Sequence, residues 1–231
     1  MMRILQKFCL MQRVEYKQGL NEVLALFVHL LPPSTLLQEP IAAEVSSPRK
    51  RLNSAPQLSL RTSLSNRLFT AFTVRYLERF YCIDSSFFLF QSFRLFHILL
   101  LYHDPQLALF LAEHNFFPEL YTPQWFLTLY CRTLPIDMAL GVWDMLLAVD
   151  DAAFAFFVGV SLLIEKRDAI LTTESAVIPE IVGNTTFRNS QDFRKTIDSA
   201  WRLYRYTPKC LLRLLRICCV SDADLTPSPQ T

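Results

Sequence analysis

The hexapeptide Tyr16-Lys17-Gln18-Gly19-Leu20-Asn21 joins a group of polar residues to the start of a strongly apolar segment. After it, apolar residues recur at the spacing of a helix that buries one face: Leu20, Val23, Leu24, Phe27, Val28 and Leu31. Gly19 stands at the start of this predicted helix, and because it has no Cβ it lets another backbone or a ligand approach closely. The Gln18 side chain carries a primary amide, which is both a hydrogen-bond donor and an acceptor. Such an amide suits holding a water molecule or a charged oxygen at a protein surface.

Composition favours a helical fold with a large core. The chain has 231 residues, of which 52% are hydrophobic, so it is long enough to bury a sizeable core. It contains 4 glycines and 19 phenylalanines, and so few glycines argue against an all-β fold with its many tight turns. The net charge of +2 gives no general attraction to nucleic acid. We therefore predict an all-α protein that does not bind nucleic acid.

Several kinds of site are excluded because their motifs are missing. No glycine-rich phosphate loop is present, so the chain is not expected to bind a nucleotide by itself, and no Cys or His spacing predicts a metal site. The 6 cysteines are scattered, which is typical of reduced thiols in a cytoplasmic protein. The longest uncharged apolar run, 152–164, is too short to cross a bilayer. We predict no metal, no cofactor, no transmembrane helix and at most peripheral membrane contact.

Changes in composition divide the chain into five segments. Residues 1–37 are predicted to form N-terminal helices, and residues 38–63 a disordered Ser/Pro-rich basic insertion. Residues 64–171 are predicted to form the main set of helices, residues 172–220 further helices packed on the domain, and residues 221–231 a disordered tail. The insertion contains the basic cluster Pro48-Arg49-Lys50-Arg51. This cluster is either simply solvated, as its composition favours, or it meets anionic lipid or an acidic partner.

Local start signals place three of the predicted helices. Asp104-Pro105 and Thr122-Pro123 each combine a side chain that can cap a helix with proline at the first helical position. Asp150 or Asp151 is expected to cap the helix 153–171. This helix is apolar almost all round in its first half, which predicts a place in the centre of the fold.

The hexapeptide resembles the YxQG motif of the TBC domain, a module that stimulates GTP hydrolysis by Rab-family small GTPases. Further pieces follow in the order found in the C-terminal half of TBC domains: Leu101-Tyr102-His103-Asp104-Pro105-Gln106-Leu107, Pro118-Glu119-Leu120-Tyr121 before Trp125-Phe126, Leu134-Pro135, Val142-Trp143-Asp144, and an apolar helix ending in Arg167-Asp168-Ala169-Ile170-Leu171. Each piece is short, and their order over residues 1–171 makes the resemblance specific. It implies a multi-helix TBC-domain fold that lacks its N-terminal part.

The resemblance also implies a site. In TBC domains the glutamine of YxQG takes over the role of the GTPase's own glutamine, so Gln18 is the expected catalytic residue. Tyr16, Gly19 and Asn21 are the expected GTPase-binding residues. The family supplies a second group, an arginine from an IxxDxxR motif, which is expected several tens of residues before Tyr16. Arg3 and Arg13 stand in a different context, so the chain by itself is expected to be an inactive or weak activator, with GTP and Mg²⁺ held by the partner GTPase.

Two alternatives concern this site and its function. In a structural alternative, Gln18 caps the helix and orders the loop, Tyr16 packs the loop, and Asn21 satisfies donors at the helix start. The stretch from Tyr81 to Trp125 is similar to TBC proteins that carry a rhodanese-like domain. That branch implies a non-catalytic adaptor that binds golgins or vesicle proteins and tethers endosome-derived vesicles at the trans-Golgi.

The last helical segment has two interpretations. Basic residues alternate with leucines from Lys209 to Arg216, and Cys218-Cys219 follows, as in an interfacial helix that can be acylated. The other interpretation is a helix that packs its leucines on the domain. It is favoured because Trp201 and Tyr204, just before the segment, are expected to face the core.

Overall fold

The structure is a computed structural model that describes residues 1–31, 60–82, 85–184, 187 and 190–220. Its described residues form helices, turns and short 3₁₀ segments with no β-strand, which confirms the predicted all-α fold. The helices are α1 (Met2–Gln12), α2 (Leu20–Leu30), α3 (Leu60–Tyr81), α4 (Ser85–His103), α5 (Pro105–Glu113), α6 (Pro123–Thr128), α7 (Ile136–Val149), α8 (Phe154–Glu165), α9 (Arg167–Leu171), α10 (Ile178–Gly183), α11 (Ser190–Tyr206) and α12 (Lys209–Cys219). The predicted disorder of residues 38–59 and 221–231 falls outside the described residues.

The first two helices pack on α3 through aromatic rings. Phe8 of α1 meets Phe69 edge to face, with ring centroids 4.9 Å apart, and Phe27 of α2 lies 5.4 Å from Phe72. The ring centroid of Phe72 also lies 4.3 Å from that of Trp143 of α7, so these rings join four helices, α1, α2, α3 and α7. Helix α3 begins at Leu60, inside the segment predicted to be an insertion up to residue 63. The boundary was wrong because the helical spacing of leucines continues into the serine-rich stretch.

Helix α8 lies in the centre of the fold, as its composition predicts. Every residue from Phe154 to Leu163 is buried, and the helix packs against α4, α6, α7, α9 and α11. The single long helix predicted over 153–171 is divided by a turn at Lys166 into α8 and α9. Long-range contacts hold this turn, since Lys166 Nζ donates to the Ile181 carbonyl at 2.8 Å and Arg167 Nε donates to Asp104 at 2.7 Å.

The predicted helix caps have different outcomes. Asp104 caps α5 as predicted, since its carboxylate accepts from the Leu107 N–H at 3.0 Å and Pro105 follows. Asp151 precedes α8 and accepts from the Ala153 N–H at 3.0 Å. The side-chain cap predicted for Thr122 was wrong. Its hydroxyl donates instead to the Pro118 carbonyl at 2.8 Å, which the preceding 3₁₀ turn places within reach.

The C-terminal segment packs on the domain. The helix α12 contacts α3 and α4. It buries Cys218, Cys219 and three leucines: Leu211, Leu212 and Leu215. Arg216 donates to the buried carboxylate of Asp151 at 2.7 Å. This arrangement favours the packing interpretation over an acylated interfacial helix. The expected core position of Trp201 was wrong, since this residue is 38% exposed. Its ring stacks on the ring of Tyr204, with the two centroids 5.7 Å apart.

Helix α4 meets the length and composition expected of a membrane span, with a mean hydropathy of 1.3, although no transmembrane helix was predicted there. Core helices of soluble proteins meet the same criterion, and α4 packs against α3, α5, α8 and α12. It carries Arg94 on its exposed side.

Candidate functional site

The loop between α1 and α2 carries the predicted site. Helix α1 ends at Arg13 in the left-handed conformation, with φ of 54°, and the Val14 N–H donates to the Cys9 carbonyl at 3.1 Å. The chain then leaves the helix and re-enters α2 through Gly19, which occupies the N-cap position. Helix α2 packs on α3, and α1 packs on α3 as well. The loop is therefore held between two helices that rest on the same neighbour.

Gly19 is required by both its backbone conformation and its surroundings. Its φ is 115°, a region that residues with a side chain rarely adopt. A Cβ at this position would lie 2.9 Å from the Tyr81 hydroxyl oxygen and 3.2 Å from Thr128 Cγ2. The close approach that the sequence predicted is thus an approach by the chain's own α3 and α6. Direct contact between Gly19 and a GTPase stays a prediction, and Gly19 itself is buried.

The Tyr81 side chain fixes the surface against which Gly19 packs. Tyr81 is fully buried at the end of α3, and its hydroxyl donates to the Leu127 carbonyl of α6. Burial raises the pKa of the Tyr81 hydroxyl well above its usual range, so the group is a hydrogen-bond donor at neutral pH. The ends of α3 and α6 are joined at the point where the loop returns to α2.

Lys17 anchors the loop on its other side. Its Nζ donates to the Cys82 carbonyl at 3.2 Å and to the Ser85 hydroxyl. Cys82 directly follows α3 and Ser85 begins α4, and they lie 65 and 68 positions from Lys17 along the chain. An ammonium that bonds two fixed oxygens restricts the backbone that carries it. The two neighbours of Gln18 in the sequence, Lys17 and Gly19, are thus both held in place by other parts of the chain.

Tyr16 and Asn21 close the loop on itself. The Tyr16 hydroxyl donates to Asn21 Oδ1 at 3.1 Å, and the Gly19 N–H donates to the same oxygen at 3.3 Å. Asn21 therefore satisfies a donor at the helix start, which the structural alternative expected. The Tyr16 ring is 54% exposed, so it lies on the loop's outer side. Their roles in binding a GTPase stay predictions.

Gln18 is exposed between its two anchored neighbours. Within the part of the chain that the structure describes, its side chain makes no hydrogen bond, and α2 has no side-chain cap. Among the described residues, the contacts that order the loop come from Asn21 and Lys17. They do not support the alternative in which Gln18 caps the helix. The Gln18 amide keeps its donors and its acceptor for a group outside the chain.

An ion pair that sequence reasoning missed lies beside the start of α2. Arg132 Nε donates to both carboxylate oxygens of Glu22, at 3.1 and 3.0 Å. The two residues are 110 positions apart, and no sequence pattern links them. Glu22 also lies in the first turn of α2, where a negative charge is favourable. Because Glu22 neutralises it, Arg132 is a structural clamp between α2 and the segment after α6.

The described residues hold no group of three or more side chains placed to bind a metal ion. The histidines have other roles where their bonds are known: His103 Nε2 bonds the Thr207 hydroxyl at 2.8 Å, and His114 Nδ1 bonds the Phe110 carbonyl at 2.8 Å. Burial lowers the pKa of His103, which favours its neutral form.

Comparison with known proteins gives a family and a fold. The Rab-GTPase-TBC domain family matches residues 1–171. The TBC domain-containing protein kinase-like proteins of Gallus gallus and Homo sapiens are each 29% identical to this chain over 154 residues, which are 64% of this chain and 16% of theirs. TBC1 domain family member 12 of Rattus norvegicus is 32% identical over 92 residues, 40% of this chain and 13% of that protein.

The chain thus spans about one sixth of the length of the first of these relatives. Among solved structures, the Ypt/Rab-GAP domain of Gyp1p is similar in fold, with a TM-score of 0.67 and 18% identity. The match covers 89% of this chain and 65% of the Gyp1p chain. Since the family match covers most of the sequence and includes the loop with Gln18, the chain belongs to the Rab-GTPase-TBC domain family.

Proposed function

We propose that this chain forms part of a GTPase-activating domain for a Rab-type small GTPase, and that Gln18 is its catalytic residue. The observation that carries the proposal is the exposed Gln18 amide, which has no hydrogen bond within the described chain and lies between Lys17 and Gly19. Family membership and the Gyp1p fold support it. The partner GTPase brings GTP and Mg²⁺, so the chain needs no cofactor of its own.

The proposed mechanism uses position more than chemistry. Phosphoryl transfer requires an oriented water molecule and neutralisation of charge on the phosphate oxygens. A primary amide can accept from the attacking water and donate to a phosphate oxygen. Lys17 and Gly19 reduce the freedom of the backbone that carries this amide, so less entropy is lost when the partner docks. Tyr16 and Asn21 lie beside it on the surface proposed to meet the GTPase.

The second catalytic group of the family has no counterpart in this sequence. No IxxDxxR pattern occurs in the 231 residues, and Arg132 is paired with Glu22. An arginine that neutralises charge on the phosphate oxygens raises the rate of GTP hydrolysis by a factor of about 10³ to 10⁵. We therefore expect the chain by itself to accelerate hydrolysis weakly.

Affinity for a transition-state mimic tests the proposal without requiring full activity. Rab proteins loaded with GDP and aluminium fluoride imitate the transferring phosphoryl group, and a catalytic surface binds this state more tightly than the GDP state. We expect at least one Rab to bind the chain preferentially in the fluoride state, and Gln18→Ala to remove the preference. Gln12→Ala, at the exposed end of α1, is the matched control. Equal affinity for both states across a Rab panel would reject the proposal.

A second function is a non-catalytic adaptor. The similarity of the stretch from Tyr81 to Trp125 to the rhodanese-associated branch of TBC proteins favours it. Such an adaptor would act in the cytoplasm or peripherally on trans-Golgi or endosomal membranes, with golgins or vesicle proteins as partners. In that case Rab binding is absent or independent of the nucleotide, and Gln18→Ala has no effect on vesicle capture at the trans-Golgi in cells.

A further inference from the structure

Helix α4 has a second apolar face that points away from the core. Its inner face buries four large side chains: Phe93, Phe96, Leu99 and Leu100. Its outer face leaves apolar side chains exposed, among them Phe87 at 60% and Phe90 at 57%. Together with Arg94, the exposed residues follow steps of three or four positions, so they form one line along the helix, here named the α4 outer stripe: Phe87, Phe90, Arg94, Ile98 and Leu101.

The stripe has the dimensions and order of a binding surface. From residue 87 to residue 101 it extends for about 21 Å at the rise of an α-helix, the length of a four-turn partner helix. Its rings are also held by their neighbours: Phe87 packs edge to face on Phe88 at 5.4 Å, and Phe90 on Phe93 at 6.0 Å. A contiguous exposed apolar surface with fixed side chains is typical of a site of association.

Arg94 gives the stripe a charge that needs a partner. It stands at the midpoint of the stripe, α4 contains no Asp or Glu, and none of the ion pairs of the described residues includes it. When another surface covers the stripe, Arg94 loses water on its covered side. A buried guanidinium without an anion is costly, so the covering surface must supply an anion opposite Arg94, which in a protein partner is a carboxylate.

Charge also decides against two other occupants. A second copy that packs antiparallel through a two-fold axis would place Arg94 against Arg94, since the residue lies at the middle of the stripe. A helix that lies in a lipid surface keeps its cations on the polar face or at the edges, whereas Arg94 stands in the middle line of the apolar face. The first arrangement would bring two guanidinium groups together, and the second would hold Arg94 in the line that faces the acyl chains, away from the headgroup anions.

We propose that the α4 outer stripe is a docking surface for an amphipathic helix of another protein, which carries one carboxylate at the centre of its apolar face. Phe87 and Phe90 contact apolar residues on one side of that carboxylate, and Ile98 and Leu101 contact those on the other. The carboxylate and the Arg94 guanidinium form an ion pair that sets the register of the two helices. This surface is separate from the loop of Gln18, and the inference stands whether or not the chain activates a GTPase.

Two synthetic peptides test the proposal on the full chain. Both are 18-residue amphipathic helices with leucines in the apolar face, and they differ only in one central residue of that face, Glu or Lys. We expect fluorescence anisotropy to show about tenfold tighter binding of the Glu peptide, which corresponds to one well-placed charge pair against a like-charge contact. Because Arg94 is exposed, Arg94→Glu should leave the thermal unfolding curve unchanged. The same variant should bind the Lys peptide more tightly than the Glu peptide.

Two further variants and two assays complete the test. Phe90→Ser should weaken both peptides, whereas Leu109→Ser, an exposed position on α5, should leave both affinities unchanged. Equal affinity for the two peptides, or a preference that Arg94→Glu does not reverse, would overturn the proposal. So would dimerisation of the chain that Phe90→Ser abolishes, or cosedimentation with phosphatidylcholine and phosphatidylserine vesicles that the same variant abolishes.

Discussion

The hydroxyl oxygen of Tyr81 occupies the space beside Gly19 in which a side chain would begin, so that a Cβ at residue 19 would lie 2.9 Å from it. The same hydroxyl donates to the Leu127 carbonyl, which fixes its position. One tyrosine therefore connects the ends of α3 and α6 to the turn that presents Gln18. The glycine of this motif is explained by internal packing and by its φ of 115°.

Gly19→Ala is expected to destabilise the protein. The new Cβ meets Tyr81 and Thr128, and the backbone must keep a positive φ, so we expect the free energy of unfolding to fall by about 2–3 kcal/mol. Chemical denaturation measures it. Gly183→Ala is the control, because no atom lies within 4 Å of a Cβ at that position, and its effect should stay within about 1 kcal/mol. Similar losses in the two variants would contradict the packing described for Gly19.

The contact between Gly19 and Tyr81 can be separated from the backbone strain. Tyr81→Phe removes the hydroxyl and its bond to Leu127, which should cost about 1–2 kcal/mol. In the double variant with Gly19→Ala the clash with the hydroxyl is absent. The double variant should therefore lose about 0.5–1 kcal/mol less in the free energy of unfolding than the sum of the losses in the two single variants. Strictly additive losses in denaturation experiments would show that the strain alone accounts for the requirement for glycine.

Lys17→Met is expected to lower activity more than stability, if the chain activates a GTPase as proposed. The ammonium bonds the Cys82 carbonyl and the Ser85 hydroxyl, and without it the backbone beside Gln18 gains freedom. We expect about a tenfold loss in the maximal rate of stimulated GTP hydrolysis with little change in the half-saturating concentration. Lys7→Met, at an exposed position of α1, is the control. A change confined to the half-saturating concentration would assign Lys17 to partner binding instead.

The Asp151 carboxylate should be important for attaching the C-terminal helices. It is 7% exposed and accepts from the Tyr204 hydroxyl at 2.7 Å, from Arg216 Nε at 2.7 Å and from the Ala153 N–H at 3.0 Å. Because Arg216 is partly exposed and can be hydrated again, we expect Asp151→Ala to cost about 2–3 kcal/mol in the free energy of unfolding. Asp168→Ala, whose side chain is exposed, should change it by less than about 0.5 kcal/mol. Equal effects would disprove the role of the network.

Lys166 gives the stability a defined dependence on pH. Burial lowers the pKa of its ammonium to about 8 in the folded chain, whereas an unfolded lysine has a pKa of about 10.4. Between these values the unfolded chain binds more protons, so this residue makes stability rise with pH from about 8 to about 10 and leaves it level below that range. The comparison with Lys166→Met isolates this effect from the cysteines and tyrosines that also titrate. A difference between the two proteins that does not change with pH would contradict the shift.

Local features of the fold were predictable, and contacts between distant residues were not. The Asp104-Pro105 start of α5 and the buried position of α8 follow from neighbouring residues, and both are found. Thr122 has the same signal as Asp104, yet its hydroxyl bonds the Pro118 carbonyl because a 3₁₀ turn precedes it. The break at Lys166 depends on partners in α10, which no local pattern contains.

The same distinction applies to the site. The motif around Gln18 is contiguous, so the sequence located the loop and its exposed glutamine. Its supports are distant: Lys17 reaches Cys82 over 65 positions, and Arg132 reaches Glu22 over 110. Neither Tyr81 nor Arg132 belongs to a pattern that could have identified it, because only the folded chain brings these side chains to the start of α2.

The most direct test of the account is the rate at which a GTP-loaded Rab hydrolyses its nucleotide in a single turnover with this chain. We expect a weak but measurable acceleration for at least one Rab of a panel. Gln18→Ala should reduce it about tenfold or more, while Gln12→Ala leaves it unchanged. If the chain accelerates hydrolysis and Gln18→Ala does so equally well, the claim that this glutamine acts on the partner's nucleotide is contradicted.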